Sequence, residues 1–472
     1  MKNVTINDIL TCTGGTLLCG DADMKVENLS TDSREIGAST LFVPIVGANI
    51  NGHDYVKKAL MAGAVATLTA EEEVYDYWLD NHAGDDRTFI LVDDTTDAIQ
   101  RIGKMARLKL SVPAIGVTGS VGKTTTREMI AAALSAEKKV YKTDKNYNNW
   151  LGVPLTLSQM TDDDDIAVLE LGLNVRGELG LISSLTNIET AVITNIGVAH
   201  IEFYGTQDEI CKEKFTVTNG FFEENPNEKM LYLCGNDPYL MKHKAECGYP
   251  VTIYGSRDNA DYRAVNVHSV NGKYRFDLYI HGEYRLTATL SVLGEHNVLN
   301  AVAALAIADR YGVDLDKAAE KLEQFTGFKN RLQRYDYKGA MIIDDTYNAS
   351  PASMKAGLDV LCSMEYKDNN GRRIAILGDM FELGPDAPKY HYEVGVYAAS
   401  KPFDELILIG ENAMEIKRAL MEAGSMKSIY AFADKNAITE ALKKELKDGD
   451  IVYIKASNGM KLHDITEGLI NG

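Results

Sequence analysis

The residues best suited to chemistry stand in the run GVTGSVGKTTT at 116–126. An apolar stretch precedes it and a helix-competent run, REMIAAALSA, follows. Glycines let such a turn fold so that several N–H groups point at one phosphate, and the next helix adds the positive end of its dipole. Gly119, Ser120, Val121, Gly122 and Thr125 form the expected cradle. Lys123 can reach β- and γ-phosphates, and the Thr124 hydroxyl can ligate Mg²⁺. An ordinary glycine-rich turn is the competing reading, and Gly-Lys-Thr between strand and helix argues against it. The spacing is a variant of the usual nucleotide loop: Val117 stands where its first glycine belongs, and Gly116 lies one residue earlier.

A triphosphate site needs a carboxylate for its metal. Glu170 ends the apolar run IAVLEL (166–171), where a neighbouring parallel strand would deliver it to the same crevice. A solvated strand-end glutamate is the alternative. His200, in TNIGVAHIEFYG, could ligate a second cation or contact phosphate, although a loop histidine is more often structural. Lys212 and Lys214, in ICKEKF, read from charge pattern alone as a solvated helix face. DDTYNASP (344–351) places Asp344, Asp345, Tyr347 and Asn348 at the end of a buried strand, a position suited to a ribose or an adenine ring. Alternatively it is a polar loop in which Ser350 or Asn348 caps the next helix.

The elements around these residues alternate. AVITNIG (191–197) and IAVLEL read as buried parallel strands, and longer helix-like stretches separate such runs from 114 onward. That pattern predicts a doubly wound α/β sheet. A second series begins near Tyr335, with strands AMIIDD (340–345), RIAILGD (373–379), ELILIG (405–410) and DIVYIKAS (450–457). Between them lies a β-rich segment, 250–293, with period-2 alternation and a turn at Asn271-Gly272, then a helical run from about Asn297 to Tyr311. Residues 1–110 mix short apolar runs with turns and end in a helical stretch, Asp97 to Leu110.

The chain has 472 residues, enough for two to four domains. With 49 Lys+Arg against 68 Asp+Glu its net charge is −19, which argues against wholesale nucleic-acid or anionic-membrane binding. Apolar residues at 45% exclude disorder as the main state. No apolar run reaches the ~18 residues of a membrane span. The first residues, MKNVTINDILTCTGG, lack a secretory pattern, and the six cysteines form neither C-x-x-C pairs nor zinc spacings. A reduced, cytoplasmic protein is the expectation.

In their order the motifs resemble the Mur ligases over essentially the whole chain. The resemblance is carried by TDSREI (31–36), LFVPIVGANINGHDY (41–55), the loop with its shifted glycine, NYNNWLGVPLTL (146–157) and LELGLNVRGEL (169–179). It continues through TNIGVAHIEFYGT (194–206), GEHNVLNAVAALAIA (294–308), RLQRY (331–335), DDTYNASPASM (344–354) and LGDMFELG (377–384). It implies three α/β domains: a UDP-sugar-binding module (1–110), a P-loop ATP-binding domain (111–330) and a Rossmann-like domain (331–472). DDTYNASP and LGDMFELG point to the branch that adds D-alanyl-D-alanine to UDP-N-acetylmuramoyl-tripeptide through an acyl phosphate, completing the peptidoglycan precursor. Single-residue-adding sister ligases, a folylpolyglutamate-synthetase-like enzyme and a P-loop switch are the other readings.

The resemblance also assigns roles. ATP and two Mg²⁺ ions are the implied cofactors, and a monomer is expected. Lys123 and Thr124 handle phosphates and metal, and Glu170 and His200 ligate metal. Lys214 matches a carbamylated lysine that helps hold the second Mg²⁺. Asn297 and Arg331 match nucleotide-contacting positions and Asp345 a ribose carboxylate. Ser33 and Arg34 match the uridine-nucleotide loop, and Asn148 and Asn149 the sugar-peptide contact. Tyr347, Asn348 and Ser350 fall in the expected substrate segment. One departure stands out: where the family commonly shows K-A-S-R-G-M, this chain reads KASNGM (455–460). Asn458 lacks the charge and five-donor fork of arginine, for which Lys461 is the candidate substitute.

Overall fold

A computed structural model describes residues 1, 3–82, 87–221, 228–270, 273–365 and 371–471. The chain divides into two compact units. The first comprises Met1–Thr118, Lys138–Val192 and Glu213–Leu231; the second comprises Gly119–Glu137, Ile193–Lys212 and Tyr232–Gly472.

In the first unit a five-stranded sheet runs in the order Thr16–Cys19, Thr88–Leu91, Ala66–Thr69, Thr40–Phe42, Asn28–Ser30, antiparallel only at the first pair. Helices cover both faces. Leu41, Leu68 and Ile90 pack with Ile6 and Ile9 and with Ile99 and Ile102. Phe42 and Phe89 point the other way, onto Leu60 and Trp78. That alternation within single strands is the period-2 geometry of a pleated sheet. Helix Thr95–Leu108 starts where the Asp94 carboxylate accepts from the Thr96 and Asp97 N–H groups, at 2.6 and 3.0 Å. Its buried Ala98, Ile99, Ile102 and Ala106 recur every three to four residues. The same unit holds strands in the order Thr190–Ile193, Ala114–Thr118, Ile166–Glu170, Val140–Lys142, with Val117 beside Glu170 in parallel register. Arg107, almost fully buried, ties this sheet's margin to its own helix. Its guanidinium donates to the carbonyls of Thr186, Asn187, Leu110 and Val112 at 2.7–3.2 Å.

In the second unit the expected β-rich segment forms strands Tyr262–Val270, Lys273–Ile280 and Glu283–Leu290, paired antiparallel. Its expected turn at 271–272 lies outside the described residues. Helix His296–Arg310 packs on helix Lys123–Leu134. A six-stranded sheet runs in the order Gln333–Tyr337, Ala340–Asp344, Ile451–Lys455, Arg373–Gly378, Glu405–Ile409, Ser428–Phe432. All pairs after the first are parallel. Its four inner strands are near-continuous apolar runs because both faces are covered. Ala375 and Leu377 face Leu358 and Leu361, whereas Ile374 and Ile376 face Ile438 and Ile465. The α/β class and the doubly wound sheets thus agree with the sequence reading.

Candidate active site

The buried strand Ala114–Thr118 ends in the loop 119–122, and helix Lys123–Leu134 begins at once. Two of its glycines are required. Gly119 has φ +149°, and a Cβ there would lie 1.9 Å from Thr194 Oγ1; Gly122 has φ +85°. The following loop clamps the turn. Ser120 N donates to the Asn195 carbonyl at 3.0 Å, and Val121 N to Asn195 Oδ1 at 2.9 Å. In return Thr194 Oγ1 and Asn195 Nδ2 donate to the Val121 carbonyl at 2.7 and 2.8 Å. Lys123 Nζ donates to the Gly119 carbonyl at 2.9 Å, folding the lysine over the loop. The result is a rigid turn at a helix N-terminus, a geometry suited to an anion.

Three segments distant in sequence converge on this loop. Arg331 Nη2 donates to Thr124 Oγ1 at 2.9 Å, and the guanidinium lies 3.9 Å from the centre of the Tyr347 ring. Asn297 is buried; its Nδ2 donates to the Leu293 carbonyl at 2.6 Å and its Oδ1 accepts from Asn300. Asn300 Oδ1 in turn accepts from Thr126 Oγ1 at 3.1 Å, linking that helix to the loop helix. His200, at φ +63°, places Nδ1 2.8 Å from Glu382 Oε2. That hydrogen-bond contact, with the field of Lys123, holds the Glu382 carboxyl below the usual carboxylate range.

In the first unit Glu170 is buried, and its Oε1 accepts from Asn148 Nδ2 at 2.7 Å. The solvated alternative for Glu170 is therefore excluded. Asn149 turns to the backbone instead, accepting from the Gly152 and Leu151 N–H groups at 2.8 and 3.3 Å. Buried Glu178 ties two loops together, accepting from Asn174 N at 2.6 Å and Trp150 N at 3.2 Å. Lys214 is 1% exposed, so the solvated-face reading fails for it. Lys212 fits that reading, with an exposed side chain 2.8 Å from Glu209.

Asp345, just after strand Ala340–Asp344, accepts on Oδ2 from Lys455 Nζ at 2.6 Å and from Tyr453 Oη at 2.9 Å. Ser350 is a helix cap, its Oγ accepting from Ser353 N, as the alternative reading held. The Asn348 carbonyl accepts from Lys455 at 2.9 Å. Ser33 is buried; Arg34 is exposed and forks onto Asp32, pulling that carboxyl down to about 2. His53 fixes the nearby loop: its Nε2 accepts from Ala70 N at 3.0 Å, and burial keeps the ring's pKa low. Asn458 is exposed beside Gly459, whose α-carbon faces the Phe381 ring. A cavity of about 370 Å³ bordered by Arg334, Tyr335, Asp336 and Met341 contains none of the residues expected to do chemistry.

Sequence reasoning gave no role to Thr194, Asn195, Glu178, Tyr453 or Glu382. Thr194, Asn195, Glu178 and Glu382 lie inside the quoted motifs but carried no signal of their own, and Tyr453 lies in the middle of a buried strand. Among the described residues no cluster of three or more His, Cys, Asp and Glu could hold a metal by itself, and no helix is long and apolar enough to cross a membrane.

Three family descriptions match the chain: "Mur ligase family, catalytic domain" over 25–106, "Mur ligase middle domain" over 117–308, and "Mur ligase, glutamate ligase domain" over 330–458. A Bacillus subtilis protein, UDP-N-acetylmuramoyl-tripeptide–D-alanyl-D-alanine ligase, is 34% identical over 99% of this chain and 98% of its own. The crystal structure of MurF from Acinetobacter baumannii superposes with a TM-score of 0.86 at 26% identity, covering 99% of both chains. MurF from Thermotoga maritima in complex with ADP gives 0.79 at 26% identity, over 94% of this chain and 98% of that one.

Proposed function

The chain belongs to the Mur ligase family, and from that premise we infer that it joins D-alanyl-D-alanine to UDP-N-acetylmuramoyl-tripeptide, with ATP cleaved to ADP and phosphate. The end-to-end match to relatives bearing that activity in their names carries the reading. The clamped loop at 119–122 supports it by offering a phosphate cradle in which a Cβ would clash.

Amide formation needs an activated carboxylate. The tripeptide carboxylate attacks the γ-phosphorus, giving an acyl phosphate and releasing ADP. The dipeptide amine then attacks the acyl carbon, loses a proton, and expels phosphate. Protein groups position and neutralise rather than form covalent bonds. The loop amides and Lys123 hold the phosphates, and Arg331 stands ready beside Thr124. Asn297 orients the loop helix from behind, and Asp345 takes a ribose hydroxyl. Two groups suit a hard cation, each by its own chemistry: Thr124 offers a hydroxyl and Glu170 a buried carboxylate. Mg²⁺, when bound, neutralises phosphate charge. Thr124, Glu170 and His200 are its proposed ligands, with Lys214, carbamylated, for a second ion. Ser33, Arg34, Asn148, Asn149, Tyr347, Asn348 and Ser350 are proposed to line the other substrates. Residues 1–110, 111–330 and 331–472 are proposed as the UDP-sugar, ATP and dipeptide modules, in a cytoplasmic monomer.

The test is phosphate release by purified protein with ATP, Mg²⁺ and UDP-N-acetylmuramoyl-tripeptide, with and without D-alanyl-D-alanine. Dipeptide-dependent release and a UDP-muramoyl-pentapeptide in the mass spectrum are expected. Release with D-alanine or D-glutamate alone would move the chain to a sister activity. Release indifferent to any amine would refute the ligase.

A further inference from the structure

We propose that Lys455 and Tyr453 are positioning residues for Asp345: they hold one of its carboxylate oxygens so that the other is aimed at a nucleotide ribose hydroxyl. The inference deepens the proposed function, because it rests on Asp345 reading the ribose.

Lys455 ends the central strand Ile451–Lys455 and is 3% exposed. An ammonium has three donors. Here they go to Asp345 Oδ2 at 2.6 Å, the Asn348 carbonyl at 2.9 Å and the Asp345 carbonyl at 3.2 Å. Every proton of Lys455 is thus directed within 345–348, so its charge orders that loop. Tyr453 Oη donates to the same Oδ2 at 2.9 Å. Two donors fill the two lone pairs of Oδ2. Among the described residues, Oδ1 receives only a long bond, 3.3 Å, from Leu332 N. It keeps acceptor capacity and stands against the residue that follows Arg331, whose guanidinium touches Thr124. The ribose carboxylate and the phosphate loop are therefore one residue apart along this connection.

Gly357 supplies an independent observation. It lies inside helix Pro351–Ser363, where glycine costs roughly 1 kcal/mol relative to alanine. A Cβ at Gly357 would fall 1.6 Å from Tyr453 Oη. The helix gives up a side chain at the point where the tyrosine hydroxyl must pass to reach Asp345. A structural role alone does not need the hydroxyl: a phenylalanine would fill the same core, and buried ion pairs are weak stabilisers.

The experiment uses the full-length enzyme and three variants. In Tyr453→Phe the KM for ATP should rise about tenfold, the scale of losing a hydrogen bond to a charged group. The KM values for D-alanyl-D-alanine and the UDP-sugar tripeptide should not move. Preference for ATP over 2′-deoxy- or 3′-deoxy-ATP should shrink by a similar factor. Lys455→Met should act in the same direction and more strongly; if it fails to fold, Tyr453→Phe still decides. Asp345→Asn, run in parallel, should abolish the preference. Preference lost in Asp345→Asn but unchanged in Tyr453→Phe would overturn the positioning role and leave the ribose assignment standing. Preference intact in Asp345→Asn would overturn both. A uniform rise in all three KM values with a lowered Tm would show a merely structural role and overturn the inference.

Discussion

Gly119→Ala should damage the enzyme through one identifiable contact. The new methyl would sit 1.9 Å from Thr194 Oγ1, 3.0 Å from its Cβ and 3.1 Å from its amide nitrogen, at φ +149°. Left-handed backbone strain costs about 1–3 kcal/mol for a residue with a Cβ. The hydroxyl must also leave its 2.7 Å bond to the Val121 carbonyl, a further loss of about 1 kcal/mol. A destabilisation of about 2–4 kcal/mol follows, visible as a Tm lower by several degrees. The larger effect is on catalysis, because the clamp on Val121 sets the path of the loop that leads into helix Lys123–Leu134. Displacing that loop by ~1 Å should cost about 100-fold in kcat/KM for ATP. The assay is ATP-dependent phosphate release together with a thermal melt. Thr194→Ala in the same chain removes the atom at 1.9 Å, so the double variant should recover part of the stability lost. Wild-type Tm and kcat/KM in Gly119→Ala would refute the reasoning. Strict additivity of the two changes would show that the hydroxyl is not what the methyl meets.

Three further outcomes are expected. Lys214→Ala should lower kcat by about 100-fold or more, if a carbamate there supports several kcal/mol of charge stabilisation, and high bicarbonate should sustain only the wild type; an unaffected variant sinks the assignment. Glu382→Gln removes the partner of His200. Because the folded Glu382 carboxyl titrates below its unfolded value, its stabilising contribution is full above the unfolded pKa and is lost as pH falls through the folded one. The Tm gap between wild type and Glu382→Gln should therefore be present at neutral pH and close in acid; a gap that widens in acid contradicts a stabilised Glu382 carboxylate. Asn458→Arg should leave kcat intact and hold or lower the KM for D-alanyl-D-alanine, and a large loss would show the surrounding segment rebuilt around asparagine.

Much of this was legible in the sequence, for physical reasons that differ from place to place. The phosphate loop is local chemistry: glycines, lysine and threonine within eleven residues, between a strand and a helix. Runs such as ILIG and IVYIK announce strands covered on both faces. The edge strand Ser428–Phe432 escaped notice because it is mostly exposed: only Ile429 and Phe432 are half-buried, and they pack on opposite faces of the sheet. Lys214 was obscured by charge counting, yet helical spacing held the answer. It follows buried Ile210 and Cys211 by four and three residues and so shares their face, while Lys212 points away. The contact of Arg331 with Thr124 spans 207 positions, and no local pattern can encode it. Ser350 shows the converse: the cap it forms was as readable as any role toward a ligand.

A chain of net charge −19 that takes two polyanions, ATP and a UDP-sugar peptide, presents an electrostatic problem, and the arrangement of its cations answers it. Beyond the ~8 Å Debye length of physiological salt the excess carboxylates are largely screened, so the local field decides binding. Near the phosphate loop the cations are held, not loose: Lys123 by a carbonyl, Arg331 by a hydroxyl and an aromatic face. Lys123 also acts on the Glu382 carboxyl, which it helps hold below the usual carboxylate range. Lys455, by contrast, is committed to Asp345, leaving that carboxylate with directed rather than diffuse charge. Cations held by a carbonyl, a hydroxyl and an aromatic face at the loop proposed for phosphate, and a cation paired with the carboxylate proposed for the ribose, make a distribution suited to a nucleotide with an anionic tail and a polar ribose.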